Sequence, residues 1–227
     1  VVYGGLTWLI GRKVLKLGWD ELRVAVPGGG RGFLLGLVGA AGLALMAMTL
    51  AVPLAGARWS PDGGGFGEWV RTAVATGAAL APAALSEELM FRGLPAVLLA
   101  RAFGLAPAIV VPSVVFGLLH GANPSVTQLA LGNIALAGVF LALAFFAPGG
   151  LWTAWGAHLG WNATLAAAAA PVSGLPFTIP LIDYDPGAPA WLSGGAFGPE
   201  GGLLATAVLL LGCLLLGRAA RRKDDLA

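Results

Sequence analysis

Eight polar side chains interrupt the otherwise apolar stretches of this 227-residue chain: Glu87, Glu88, Arg92, His120, Asn123, Asn133, His158 and Asn162. Both of its histidines are among them. Glu88 and Arg92 stand four apart, the spacing at which a helix stacks opposite charges on one face, so a Glu88–Arg92 pair is expected to keep one carboxylate ionised near the cytoplasmic end of its span. Glu87 points about 100° away from that face and is left to accept a proton or bind a metal. Phe116 precedes His120 by one turn and is expected to pack beside the imidazole and fix its rotamer. His158 and Asn162 are again four apart, so both reach one point between helices, and donors aimed at one point suit an oxyanion. The chemistry these groups support is hydrolysis. Glu87 takes a proton from water, His120 orients that water or shares the base role, and His158 with Asn162 stabilises charge developing on a carbonyl oxygen. The structural alternative is an ion cluster that only staples helices.

Glu87, His120 and His158 with a water would also have the composition of a catalytic zinc site, two histidines and one glutamate. The chain lacks the His-Glu-x-x-His spacing of soluble zinc proteases, so zinc is a candidate without being implied. Ser86 and Cys213 have no evident base partner and make poor nucleophile candidates. The single cysteine excludes an intrachain disulfide framework and a cysteine-rich metal site.

The elements that must position these groups are membrane-like. Hydrophobic residues make up 58% of the chain and charged ones 11%, far below the roughly 25% charge of a soluble domain. A net charge of +2 supplies no basic surface for nucleic acid. Runs long enough to cross a hydrocarbon layer lie at 32–56, 70–91, 105–122, 125–147, 150–170 and 201–217. Residues 1–10 read as the tail of a further span, in a chain that opens without Met and is expected to lack an N-terminal segment. Gly93–Phe103 reads as a short helix at the interface, and Pro82 and Pro112 predict kinks or breaks. Residues 121–182 contain no Lys, Arg, Asp or Glu, which argues against a β-barrel with its polar lumen. The expected fold is all-α: one polytopic transmembrane helical bundle over 1–227, with six to seven spans, a catalytic core at 70–170 and an external loop at 171–200. Arg12, Lys13, Lys16, Arg23 and Arg31 before the first full span, and Arg218, Arg221, Arg222 and Lys223 after the last, place both ends in the cytoplasm. The tail Arg221–Asp225 reads as a topology anchor. The loop 171–200 is too rich in Pro and Gly for a regular helix, and its expected roles are to cap the cavity, steady an oligomer or recruit a partner.

Glu87-Glu88-x-x-x-Arg92, Phe116-x-x-x-His120 and His158-x-x-x-Asn162, in this order on successive apolar helices, resemble the signature of the CPBP family of intramembrane proteases. That family includes the type II CAAX prenyl endopeptidases and bacterial bacteriocin-processing and self-immunity relatives. The resemblance spans about residues 70–170. It implies water activated by Glu87 and His120, an oxyanion site at His158 and Asn162, and a conical cavity open to the cytosolic side and the membrane, with the metal requirement left open. The expected substrate is a membrane-associated or lipidated peptide or protein, the expected location a bacterial inner membrane, and membrane lipids the surrounding partners. Two other classes compete: a scaffold or immunity protein that binds a peptide in the same cavity, and a small proton-coupled transporter.

Overall fold

The computed structural model describes the backbone of residues 2–224 and the side chains of residues 2–218, so the side chains of the Arg221–Asp225 tail lie outside the described residues. Helix α1 (Val2–Leu6) runs into a π-helical stretch, Thr7–Val14. The other helices are α2 (Gly29–Ala55), α3 (Phe66–Phe91), α4 (Leu94–Phe103), α5 (Leu105–Leu119), α6 (Gln128–Phe146), α7 (Leu151–Ala167), the single turn α8 (Ala190–Ser193) and α9 (Leu203–Asp224). Each of the six long apolar runs is a helix. Among the described residues three are long and apolar enough to cross a membrane: Gly29–Ala55, Leu105–Ala122, which includes the 3-10 turn after α5, and Gln128–Phe146. Helix α3 carries Glu68, Arg71, Glu87 and Glu88, α7 has 17 residues, and the apolar part of α9 covers Leu203–Arg218.

The face away from the bundle is apolar. On α2, Leu34, Leu35, Val38 and Leu45 are exposed, while Ala40, Leu43, Ala44 and Ala47 are buried. With hydrocarbon as solvent, apolar burial gives little drive, so helices associate through close backbone approach at small residues. The α2–α7 interface is built this way. A Cβ on Gly36 would meet the Thr153 carbonyl at 2.2 Å, and one on Gly160 would meet the Leu37 carbonyl at 2.2 Å. The contacts advance together along both helices, so α2 and α7 run parallel. Helices α3 and α7 run antiparallel: Trp155 of α7 donates from its indole to the Ala81 carbonyl at 2.8 Å, and Trp69 of α3 to the Ala167 carbonyl at 2.9 Å. Helices α5 and α6 form an antiparallel hairpin in which Gly138 lies on Ser113 and Gly117 on Ala135.

Several details depart from expectation. Helices α3 and α5 continue through Pro82 and Pro112, so neither proline breaks its helix. Gly93–Phe103 holds the short helix expected, and that helix does not stand apart: α4 packs along α5 with Leu94, Ala96 and Val97 buried. The C-terminal end of α3 therefore sits at the middle of α6, level with Gly138, and the Glu88–Arg92 pair lies deep in the bundle rather than at its margin. Arg23 does more than add to the basic N-terminal segment. Its guanidinium donates to the carbonyls of Phe145, Phe146 and Ala147 at 2.8, 3.0 and 2.7 Å, satisfying the free carbonyls at the end of α6.

The bundle also carries one small sheet. Strand β1 (Arg58–Pro61) pairs antiparallel with β2 (Ile182–Asp185), Arg58 opposite Asp185 and Pro61 opposite Ile182. The all-α expectation is corrected to that extent, because part of the loop 171–200 pairs edge to edge with the segment between α2 and α3. The pair is sealed by an Arg58–Asp185 ion pair at 2.6 Å, and the indole of Trp59 donates to the Ala168 carbonyl at 2.9 Å. The segment 168–202 is thereby drawn back across one end of the bundle.

Candidate active site

Helix α3 delivers two adjacent carboxylates to different environments. Glu88 and Arg92 are fully buried, and Arg92 Nη1 donates to Glu88 Oε1 at 3.1 Å, the pair expected from their four-residue spacing. Arg92 Nη2 reaches across to the Gly138 carbonyl at 3.1 Å. Its guanidinium carbon lies 4.6 Å from the Phe116 ring centroid and 5.6 Å from that of Phe91. A buried guanidinium keeps its charge where a carboxylate and aromatic faces replace water, and this one has both. Glu88 Oε1 also accepts from His158 Nδ1 at 2.8 Å. Glu88 Oε2 and Arg92 Nε have no partner among the described residues.

Glu87 points the other way. Its side chain is 39% exposed, against 0% for Glu88, and its Oε2 lies 3.7 Å from His158 Nε2. His158 thus bridges the two carboxylates, one per ring nitrogen. A carboxylate can only accept, so the 2.8 Å contact assigns the Nδ1 proton to His158 and leaves Nε2 toward Glu87.

His120 sits where α5 tightens into a 3-10 turn, His120–Ala122. Its Nδ1 lies 2.7 Å from the Phe116 carbonyl, which again can only accept, so Nδ1 carries a hydrogen. Phe116 packs beside this ring as expected, 4.7 Å between centroids, and also meets His158 edge-on at 6.1 Å. One aromatic side chain therefore touches the guanidinium and both imidazoles.

Glu87, His120, His158 and Asn162 all line one cavity of about 410 Å³. They come from α3, the end of α5 and α7. Most of the remaining wall is apolar, including Leu80, Met90, Ile134 and Phe140, a lining suited to an apolar chain beside a peptide bond.

Sequence reasoning allowed for a cap but missed the residues that build the end wall. Val172, Ser173, Leu175, Phe177 and Glu200, all from the segment between α7 and α9, also line the cavity. Of the roles expected for the loop 171–200, the cap over the cavity is the one its placement matches. Glu200, 5% exposed, accepts from the Trp161 indole at 3.2 Å, from the Ser173 hydroxyl at 3.1 Å and from the Ser173 backbone N–H. Its own carbonyl accepts from Asn133 Nδ2 at 2.8 Å. A carboxylate embedded in a Gly/Pro-rich stretch was the available signal, and it had no spacing partner nearby to make it readable.

The set Glu87, His120 and His158 is not gathered as a metal-binding cluster. Among the described residues no three His, Cys, Asp or Glu side chains are placed to hold a metal ion. The arrangement gives zinc no positive support, and the chemistry of the site is derived from its side chains alone.

No curated protein and no solved structure matched the chain. Residues 69–164, the stretch that supplies Glu87, Glu88, Arg92, Phe116, His120, His158 and Asn162, match the Rce1-like family described as type II CAAX prenyl endopeptidase, in agreement with the CPBP resemblance of the three motifs.

Proposed function

We propose that this protein is an intramembrane endopeptidase that hydrolyses a peptide bond of a membrane-associated or lipidated substrate. The observation that carries the reading is the convergence of Glu87, His120, His158 and Asn162 on one apolar-walled cavity. Glu87, the exposed member of the carboxylate pair, takes a proton from water. His120, acting as the neutral ring, accepts at Nε2 a hydrogen bond from the same water and orients it. The water oxygen adds to the carbonyl carbon, and the carbonyl oxygen takes up negative charge. The Asn162 amide and His158 Nε2 then donate to that oxygen. Because His158 Nδ1 is held by Glu88, donation from Nε2 uses the doubly protonated ring, with Glu88 and Glu87 as its counter-charges. Collapse breaks the C–N bond, and the proton held by Glu87 passes to the departing amine. Glu88 and Arg92 act behind the site, fixing His158 and, through Phe116, His120.

The CAAX-type activity in the family description and the long apolar helices support an integral membrane protease. The cap weighs against a transporter, since Val172, Phe177 and the Ser173–Glu200 network stand across one end of the cavity. With the basic N-terminal segment facing the cytoplasm, the capped end is external and substrate enters from the membrane or the cytoplasmic side.

The test is digestion of a peptide library, lipidated members included, by detergent-solubilised wild type and Glu87→Ala, each with and without chelator and added zinc. Cleavage present in wild type, absent in Glu87→Ala and insensitive to chelator is expected. Cleavage by folded Glu87→Ala at the wild-type rate would overturn the reading.

A further inference from the structure

Glu200 is a buried carboxylate that the reaction does not use, and its two oxygens face different parts of the site. Oε1 accepts from Trp161, which lies on α7 between His158 and Asn162. Oε2 accepts from the backbone N–H and the hydroxyl of Ser173 in the cap. Ser173 in turn accepts, through its carbonyl, from Asn123 Nδ2 at 2.8 Å. Asn123 closes the turn that begins at His120, its backbone N–H donating to the His120 carbonyl at 3.0 Å. The path from one imidazole-bearing segment to the other thus runs His120 turn, Asn123, Ser173, Glu200, Trp161 and the His158–Asn162 face. The hub does not drift, because the Glu200 backbone is tied to Asn133 of α6, whose Oδ1 accepts from Thr206 of α9 at 2.6 Å.

We propose that Glu200 is a positioning residue that sets the spacing between His120 and the His158–Asn162 face of α7, by holding Ser173 and Trp161 on the two oxygens of one carboxylate. All three of its side-chain contacts are donors, so the group needed at this point is an acceptor on both oxygens. An amide of the same shape cannot replace it: whichever way the amide is turned, its NH₂ faces either the Trp161 N–H or the Ser173 N–H. A staple that only joined helices would not need to end on residues flanking both imidazoles. This role rests on the hydrolytic reading above, and the test separates the two.

The experiment measures kcat and KM per folded protein, on a peptide that wild type cleaves and Glu87→Ala does not, alongside amide hydrogen exchange over residues 172–177. Glu200→Gln is expected to lower kcat about tenfold with KM within about twofold, because loss of one buried charge-assisted bond frees the spacing without removing a reacting group. Exchange over residues 172–177 is expected to speed up, because in either orientation of the amide a donor that ties the cap to α7 loses its acceptor. Asn123→Ala cuts the same path at its other end and is expected to lower kcat in the same direction. The double variant is expected to be no worse than Glu200→Gln alone, since both changes break one path. A folded Glu200→Gln protein with wild-type kcat overturns the proposal, whether or not exchange changes. Additive losses in the double variant also overturn it. Should Glu200→Gln fail to fold, wild-type kcat in Asn123→Ala overturns it. Absence of any Glu87-dependent cleavage by wild type would instead sink the hydrolytic reading, and the positioning role with it.

Discussion

Two buried carboxylates anchor this molecule, and they are built in opposite ways. Glu88 is held by Arg92 from its own helix and by His158, and its place is announced by a four-residue spacing. Glu200 is held by Trp161, 39 positions away, and by Ser173, 27 positions away, from segments that meet only in the folded chain. Glu88 accepts from a guanidinium and an imidazole, while Glu200 takes only amide, indole and hydroxyl donors. The first arrangement suits a group that must bias the state of a neighbouring ring. The second suits one that must hold geometry. Both lie behind reacting groups, which suggests that this fold places its catalytic candidates by clamping them from two sides.

The comparison breaks most sharply at Arg92. Arg92→Leu leaves Glu88 fully buried without its guanidinium, and a loss of about 3–5 kcal/mol is expected, read as a large fall in thermal midpoint and in yield of monodisperse protein. The double variant Glu88→Leu/Arg92→Leu removes both charges together, so it is expected to be more stable than Arg92→Leu alone while remaining inactive. If the single variant were the more stable, Glu88 would not depend on Arg92 as described.

Glu200→Ala is expected to cost less, about 2–3 kcal/mol, because it strands neutral donors on Trp161 and Ser173 rather than a charge. Thermal unfolding of the two variants in the same detergent ranks the two clamps. A larger loss for Glu200→Ala than for Arg92→Leu would reverse the contrast drawn between charged and neutral partners.

How much of this was readable follows the same division. Periodicity and run length located all six long helices, because each needs only its own residues to declare an apolar stretch. The Glu88–Arg92 pair and the Phe116–His120 stack are one-turn relations and were equally legible. What escaped depends on contacts between distant segments. Helix α4 packs on α5 and lets α3 end mid-bundle, which no local pattern records. Arg23 reads from composition as a charge facing water, yet the carbonyls it caps are more than 120 positions away. The pairing of β1 with β2 joins two short loop segments that carry no alternating pattern of their own. Glu200 is the clearest case: a lone carboxylate in a Gly/Pro-rich segment reads as a solvated loop residue until Trp161 and Ser173 arrive beside it.

The smallest effect sharpens the account of the cap. Tyr184 of β2 packs on Trp59 at 5.1 Å between ring centroids, and its hydroxyl is buried with no partner among the described residues. Burial, with Asp185 adding to it, pushes the phenol up to about 12 from 10.0. A raised pKa in the folded state means that stability is unaffected below about pH 10 and is lost as pH climbs through 10 toward 12, where the unfolded chain gives up the proton first. Tyr184→Phe is expected to be neutral or slightly stabilising at pH 7, by less than about 1 kcal/mol, and to flatten the loss of stability between pH 10 and 12. Denaturant titrations at pH 8 and pH 11 check both. A clear destabilisation at pH 7 would mean that the hydroxyl has a partner after all.

The most direct test of the central claim is the single-turnover rate on one lipidated peptide in nanodiscs, comparing wild type with Glu87→Gln and His120→Ala at matched folded concentration. If Glu87 and His120 activate the attacking water, each variant loses about 10²- to 10⁴-fold in rate while still binding the peptide. Wild-type rates in both folded variants would contradict the account, because the cavity would then cleave without the groups assigned to its water.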